Sequence, residues 1–518
     1  MWPGARTVSF ARCPPWLARP PYRCPLPYSL STSNGEVAST SISGLDDILR
    51  GGFARSRLFL LEGEPGSGKT TLALQFLRSA VARGESVLYV SLSESEEELR
   101  AVAASHGWTL DGFTIHQLTS SPHAIEPDEQ YTMFHASEVE LSTTLKYILD
   151  IVDRIYPTCV VFDSLSELRL LAGGALRFRR QILALKNHLA ACRCTTLLID
   201  DMTATDHDVQ VQSIAHGVIR LEHMSVDYGS ERRRLRVVKY RGVSFRSGYH
   251  DYVIRHGGLE VFPRLVASEH RQPLALEKHK SGIDGIDVLL GGGIERGTST
   301  LILGSAGTGK STLATQFAVT AASAGHHAAL FVFDESPTTL ISRCADMSMG
   351  LAPHLDTGLI TIQQVDPAEL APGEFTHAVR HAVVERNASI VIVDSLNGYL
   401  NAMPGERFLT IQLHELLMFL GQQGVATILI GAQQGVIGSR MNTPVDASYL
   451  ADAVILLRYF EAKGHVRQAI SVVKKRGSQH ERTIREFFLD GTGVHVGEPL
   501  RQFRGVLTGV PVYEGGGE

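Results

Sequence analysis

Two lysines stand in the same local chemistry. Gly63-Glu64-Pro65-Gly66-Ser67-Gly68-Lys69-Thr70 and Gly304-Ser305-Ala306-Gly307-Thr308-Gly309-Lys310-Ser311 both match G-x-x-x-x-G-K-[ST], the phosphate-binding loop. The chemistry needs these residue types. Glycines let the backbone follow a tight, partly left-handed path that aims successive N–H groups at phosphate oxygens. The helix that follows adds its positive N-terminal end. Lys69 and Lys310 then neutralise the β- and γ-phosphates, and the hydroxyls of Thr70 and Ser311 are placed to coordinate Mg²⁺. Thr71 and Thr312, next in line, complete the residues assigned to nucleotide. One such match arises by accident in a few per cent of chains or so. Two matches, each after an apolar run (Leu58–Leu61, Thr300–Leu303), predict a chain that binds nucleotide twice.

Elements around the loops repeat as well. Ser41–Phe53 and Lys280–Ile294 both read as a short helix closed by glycines, leading into the strand before each loop. Downstream, Val87–Leu92 runs into Ser93-Glu94-Ser95, and Ala328–Phe333 into Asp334-Glu335-Ser336. Lys69 to Glu94 and Lys310 to Glu335 are both 25 residues, which points to one duplicated unit. Thr158–Phe162 then ends at Asp163-Ser164, and Ser389–Val393 at Asp394-Ser395. Continuous apolar runs suit strands buried on both faces of a parallel sheet. An Asp at the carboxyl end of such a strand lies where open α/β sheets bind ligands, so Asp163 and Asp394 are expected as further Mg²⁺ contacts, through water. Thr196–Ile199 before Asp200-Asp201 and Thr427–Ile430 before Gln433-Gln434 read as two more strands, whose polar ends either sense the γ-phosphate or merely end a strand. Each copy closes alike: Lys239-Tyr-Arg241-Gly242 and Lys474-Lys-Arg476-Gly477 are separated by 235 residues. A cation pair repeated before a glycine turn fits a charge clamp on phosphate.

The fold class expected is α/β: two tandem RecA-like P-loop domains, each a doubly wound, mostly parallel sheet. The expected limits are a leader over 1–38, domains over 39–265 and 276–507, a linker over 266–275 and a flexible tail over 508–518. The first 35 residues hold seven prolines, four arginines and no acid, and read as a disordered leader. Removing those four charges from the net −5 leaves −9 on the remainder, which argues against a protein that coats nucleic acid. No apolar run approaches the roughly 18 residues needed to span a bilayer. The six cysteines are scattered, and Cys192-Arg193-Cys194 lacks the spacing of a zinc knuckle and has no Cys/His cluster beside it. Free thiols in a reducing, cytoplasmic setting are the expectation.

Together these elements resemble the KaiC family, two-domain ATPases related to RecA and typified by the cyanobacterial circadian-clock protein. The resemblance runs from about Thr40 to Val512 and includes Arg476–His480 and Ile484–Phe487. It implies ring hexamers holding ATP between subunits, with Lys239, Arg241, Lys474 and Arg476 as fingers toward a neighbour's nucleotide. The family usually carries two adjacent glutamates after the second strand as bases. Here Glu94 and Glu335 inherit that role, with Ser93 and Asp334 in place of the first of each pair. The family also phosphorylates itself on an adjacent Ser-Thr pair in the second domain. Aligned on Asp452, Ser448 and Tyr449 fall there, with Thr443 near the third phosphorylatable position.

The resulting expectation is a self-assembling ATPase with a serine/threonine autokinase activity at Ser448, Mg²⁺ and ATP as cofactors, and no nucleic-acid or membrane partner. Two alternatives remain open. A RecA/RadA-like DNA-handling motor needs basic or aromatic channel loops, for which Arg177–Arg180 and Gly435–Arg440 are candidates. An ATP-gated signalling scaffold would hydrolyse little.

Overall fold

A computed structural model describes the protein except for residues 1–36, 119–135, 173, 203–208, 226–228, 271–276, 402–408, 434–448, 463, 507–511 and 514–518. The first half builds one sheet from β1 (Leu58–Gly63), β2 (Val87–Ser91), β3 (Phe113–Gln117), β4 (Cys159–Asp163), β5 (Thr195–Asp200), β6 (Gly217–Met224), β7 (Arg232–Tyr240), β8 (His250–Arg255) and β9 (Gly258–Phe262). The second half repeats it with β10 (Ser299–Gly304), β11 (His327–Val332), β12 (Ile360–Gln364), β13 (Ala388–Asp394), β14 (Ala426–Ala432), β15 (Ala453–Ala462), β16 (His465–Lys475), β17 (Arg485–Asp490) and β18 (Gly493–Pro499).

Both sheets have nine strands in one order: β9-β8-β7-β6-β1-β5-β4-β2-β3 and β18-β17-β16-β15-β10-β14-β13-β11-β12. Strands β1 to β6 and β10 to β15 are parallel, and the last three of each set add an antiparallel edge. The chain is therefore α/β with two doubly wound sheets, as the duplicated pattern predicted. Every residue of β1, β2, β4 and β5 is buried, which is why these strands read as unbroken apolar runs rather than alternating ones.

Each sheet has an apolar layer on both faces. In the first half, Leu72, Phe76 and Leu77 of the helix Lys69–Ala82 pack on one face, and Leu141, Ile148, Ile182 and Leu185 of two other helices on the opposite one. The halves meet where β8 and β9 face the helix Pro372–Val384: Asp251 accepts from the Gly373 amide at 2.7 Å, and Arg255 pairs with Glu374.

The structure amends three readings. Asp163 and Asp394 are the last residues of their strands rather than the first beyond them. Arg177–Arg180, read as a loop, lies in the helix Ala175–Ala191; Phe178 is buried in the core, with the Arg169 guanidinium 5.2 Å from its ring centre. That aromatic cannot stack on a nucleic-acid base. Within the stretch read as a tail, Val512–Tyr513 pairs with Phe503–Arg504.

Candidate functional site

Both phosphate loops leave the carboxyl end of the central strand and turn into a helix at its lysine. Gly68 and Gly309, with φ of 86° and 88°, cap helices beginning at Lys69 and Lys310. Here glycine is required twice over. A side chain would be strained at that φ, and a Cβ at Gly68 would lie 2.5 Å from Ile254 Cδ1, one at Gly309 2.8 Å from Leu489 Cδ1.

In the first half, Lys69 is buried and its ammonium uses three acceptors: the carbonyls of Gly63 and Glu64, both at 2.9 Å, and Asp201 Oδ1 at 3.0 Å. Thr70 Oγ1 donates to Asp163 Oδ2 at 3.2 Å, and the Tyr89 hydroxyl donates to the same oxygen at 2.6 Å. Burial raises the Asp163 carboxyl above its ordinary range, against the bonds from Tyr89 and Thr70 that lower it. Glu94 is held by a turn in which the Ser91 hydroxyl bonds both its carbonyl (2.5 Å) and its amide (3.0 Å). Directly after it, Ser95 and Glu98 form a capping box that starts the helix Glu96–Ser105. Glu94 Oε2 is buried without a hydrogen-bond partner. Burial, then the negative charges of Asp163, Glu98 and Asp201, push its carboxyl up to about 7. Ser67 Oγ, inside the loop, is a second buried polar atom without a partner.

The second half gathers the corresponding residues differently. Lys310 Nζ donates to the Ser305 carbonyl at 2.7 Å, and burial lowers its pKa. Ser311 donates to Asp394, whose carboxyl burial raises. Asp334 accepts from Ser395 Oγ at 2.5 Å. Glu335 is tied at 2.5 Å to Arg343, from the helix Pro337–Asp346 that Ser336 caps. Thr71 and Thr312 are buried in the first turns of their helices and so brace the loops from inside.

The cation pairs at the ends of β7 and β16 lie elsewhere. Tyr240 pairs with Gly217 and Gly217 with Phe59, four residues before Gly63. At about 3.3 Å per strand residue, the loop of the same domain begins about 13 Å farther along the sheet. Lys239 bonds the Gln212 carbonyl, and Arg241 the Ser213 carbonyl at 2.7 Å. Arg241 lines a cavity of about 160 Å³ with Arg57, Lys186 and His216, and among the described residues no carboxylate lines it. The pKa values of Lys186, Lys239 and His216 are all lowered, by burial first and then by neighbouring cations. In the second half, Lys474 bonds the Ala451 carbonyl at 2.8 Å, and Arg476 lies 3.6 Å from Asp452.

The fold thus unites Lys69, Thr70, Glu94 and Asp163 in one site and Lys310, Ser311, Asp334, Glu335 and Asp394 in the other, and separates the terminal cations from both. Gln434, Thr443, Ser448 and the Gly435–Arg440 loop lie outside the described residues. Tyr449 is exposed. The sequence reading missed Tyr89, Tyr252 (whose hydroxyl bonds the Ser67 carbonyl at 2.6 Å) and Arg343. All three sit inside apolar or amphipathic runs, where no local motif marks them.

Two doubly wound sheets, each with a G-x-x-x-x-G-K-[ST] loop, a hydroxyl–Asp pair and an acid-bearing second strand, define a tandem P-loop nucleotide-binding protein of the RecA-like class. The family model for the ATPase KaiC matches residues 38–266 and 279–501, so this chain belongs to the KaiC ATPase family. It is 26% identical to the circadian clock oscillator protein KaiC of Thermostichus vulcanus over 494 residues, covering 94% of this chain and 93% of that one. It is also 26% identical to the circadian clock protein KaiC3 of Synechocystis sp., over 93% of this chain and 96% of the relative. Among the described residues no helix is long and apolar enough to cross a membrane.

Proposed function

We propose that this chain is a ring-forming ATPase that hydrolyses ATP at both loops, with Glu94 the better-poised base. The observation that carries this is the half-buried Glu94 carboxyl: its Oε2 is enclosed without a hydrogen-bond partner among the described residues, its pKa is pushed up to about 7, and it lies beside Lys69 and the Thr70–Asp163 pair. A general base works best with a pKa near the working pH, and burial shifts Glu94 in that direction. It would take the proton of the attacking water as the bond from the γ-phosphorus to the ADP oxygen breaks, leaving ADP and inorganic phosphate. Lys69 and Lys310 would exchange their carbonyl bonds for phosphate oxygens, and the loop amides would hold the phosphates in line.

The donor sets fit Mg²⁺, because a hydroxyl already points at a buried carboxylate in both halves. Thr70 and Asp163, or Ser311 and Asp394, would hold the ion, which when bound neutralises charge between the phosphates. Lys239, Arg241, Lys474 and Arg476 lie too far along the sheet to serve the loop of their own domain. Their placement supports fingers toward a neighbouring subunit, and a homohexameric ring is the assembly we infer from the family. The cavity beside Arg241, lined among the described residues by Arg57, Lys186 and His216, fits a neighbour's phosphate in the first half.

Ser448 is proposed as the acceptor of an autokinase step, with Thr443 and Tyr449 as secondary candidates. Incubation with γ-³²P-labelled ATP and Mg²⁺, following free phosphate and protein-bound label together, tests the whole reading. Released phosphate that falls with Glu94→Gln supports the ATPase. Label removed by Ser448→Ala adds the autokinase. ATP-dependent assembly with neither product would replace both with a scaffold.

A further inference from the structure

The doublet Cys192-Arg193-Cys194 carries no ligand set along the sequence, but the fold supplies one. Cys192 closes the helix Ala175–Ala191, and its amide bonds the His188 carbonyl at 3.0 Å. One intact turn therefore puts the His188 and Cys192 side chains on the same face. Asp153 reaches them from the last turns of the adjoining helix Ala136–Ile155. His188 Nε2 lies 2.7 Å and Cys192 Sγ 3.6 Å from Asp153 Oδ1, and the three donor atoms all fall within 4.8 Å of one another. The earlier expectation of no Cys/His cluster is corrected by these distances.

We propose that Asp153, His188 and Cys192 form a zinc(II) site on the first half, with water in the fourth position. Metal–nitrogen and metal–oxygen bonds of about 2.0–2.2 Å and a metal–sulfur bond of about 2.3 Å put tetrahedral ligand atoms about 3.3–3.6 Å apart. The Sγ–Oδ1 separation already has that value, and the Nε2–Oδ1 separation needs to open by roughly half an ångström. A thiolate, an imidazole and a carboxylate together select a borderline-soft ion, whereas Mg²⁺ and Ca²⁺ take oxygen ligands throughout. His188 and Asp153 are each partly exposed, so the ion has an entry path. Binding needs the Cys192 thiol to lose its proton to solvent, so affinity rises with pH. Burial and Asp153 hold that thiol up without a metal, and a divalent cation reverses the sign of the local field.

Such a site has a mechanical consequence. The two helices it would join end just before β4 and β5, at the amino edge of the sheet, and the second also carries Lys186, Leu189 and Ala190 of the cationic cavity. The ion would clamp this edge without touching the phosphate loops at the other end.

Cobalt(II) is the probe, added to nucleotide-free full-length protein carrying Cys13→Ser and Cys24→Ser, with a phosphine reductant. We expect one equivalent to give a thiolate-to-cobalt charge-transfer band that stoichiometric zinc bleaches. Cys192→Ser should abolish the band, and His188→Ala or Asp153→Asn should weaken cobalt binding at least about tenfold. These side chains are at the surface and remote from the loops, so unchanged ATP binding certifies the fold of each variant. No thiolate band in the parent protein, or a band that survives Cys192→Ser, overturns the site.

Discussion

In the first half, the strands bury Glu62, Tyr89 and Asp200, with the partly exposed Asp201 and with Arg169 and Arg220 beside them. At the same register positions the second half carries Leu303, Leu330, Gly431, Ala432, Leu400 and Leu456. Strand pairing sets the equivalence: Glu62 faces Asp200 and Arg220, as Leu303 faces Gly431 and Leu456. Glu62 takes Arg220 at 3.0 Å and Gln212 at 2.7 Å, and Asp200 takes Arg169 at 2.5 Å. Buried charges persist only when paired, and such a network holds one geometry where leucines would allow several.

Two ion pairs sharpen the contrast. Asp201 occupies the phosphate-binding Lys69, and its counterpart is Ala432; among the described residues Lys310 makes no ion pair. Arg343 occupies Glu335, and its counterpart beside Glu94 is Val102. The first half therefore pairs its lysine and leaves Oε2 of its proposed base unpartnered, whereas the second does the reverse among the described residues. One duplicated scaffold thus carries a paired lysine beside a free carboxylate oxygen of Glu94 in one half, and an unpaired lysine beside an arginine-held Glu335 in the other. The loop motif, whose glycines, lysine and hydroxyl residue are common to both copies, does not distinguish them.

The largest way to break this comparison is to remove the base. In a Lys310→Ala background, which leaves only the first site competent, Glu94→Gln should lower phosphate release about a hundredfold. Glu335→Gln in a Lys69→Ala background should cost far less, because Arg343 already holds that carboxylate. Equal losses would erase the asymmetry.

Moving the arginine should come next. Val102→Arg should pair with Glu94 and slow the first site about tenfold, a loss within the range a general base supplies. Arg343→Ala should speed the second site by several-fold. Single-turnover phosphate release in the same backgrounds reads both.

The pH profile separates the halves without any substitution at the base. Raised from 4.5 to about 7, the Glu94 carboxyl is protonated and inactive below that value and basic above it. First-site kcat/KM should climb between pH 6 and 8 with an inflexion near 7, and Val102→Arg should move the inflexion downward. The same raised value means that the folded protein holds this proton more tightly than the unfolded chain does. The associated stability is fully present below about 4.5 and is lost as pH rises from there to about 7, so Glu94→Gln should flatten the fall of Tm between those values.

The smallest effect belongs to Asp201. It is partly exposed, so its pair with Lys69 is worth under about 1 kcal/mol, and Asp201→Asn should tighten ATP binding at the first site at most about fivefold. Calorimetric titration in the Lys310→Ala background measures it. Weaker binding would instead make Asp201 a ligand-side residue.

The sequence alone determined the duplicated architecture, because G-x-x-x-x-G-K-[ST] loops, equal 25-residue spacings and all-apolar strand runs are local signals that one fold class satisfies. It also singled out Lys69, Thr70, Glu94, Asp163 and their partners in the second copy, since each stands in a short polar motif that follows an apolar run. Tertiary structure alone decided which charges are paired in each site. Tyr89 and Asp163 are 74 residues apart, Lys69 opens a helix whereas Asp201 follows another strand, and Arg343 meets Glu335 because it stands on the helix that Ser336 caps directly after Glu335. Burial and through-space partners set a carboxylate's proton affinity, and neither is a property of neighbouring letters. The same holds for Asp153, His188 and Cys192, whose donor atoms converge because two helices end side by side.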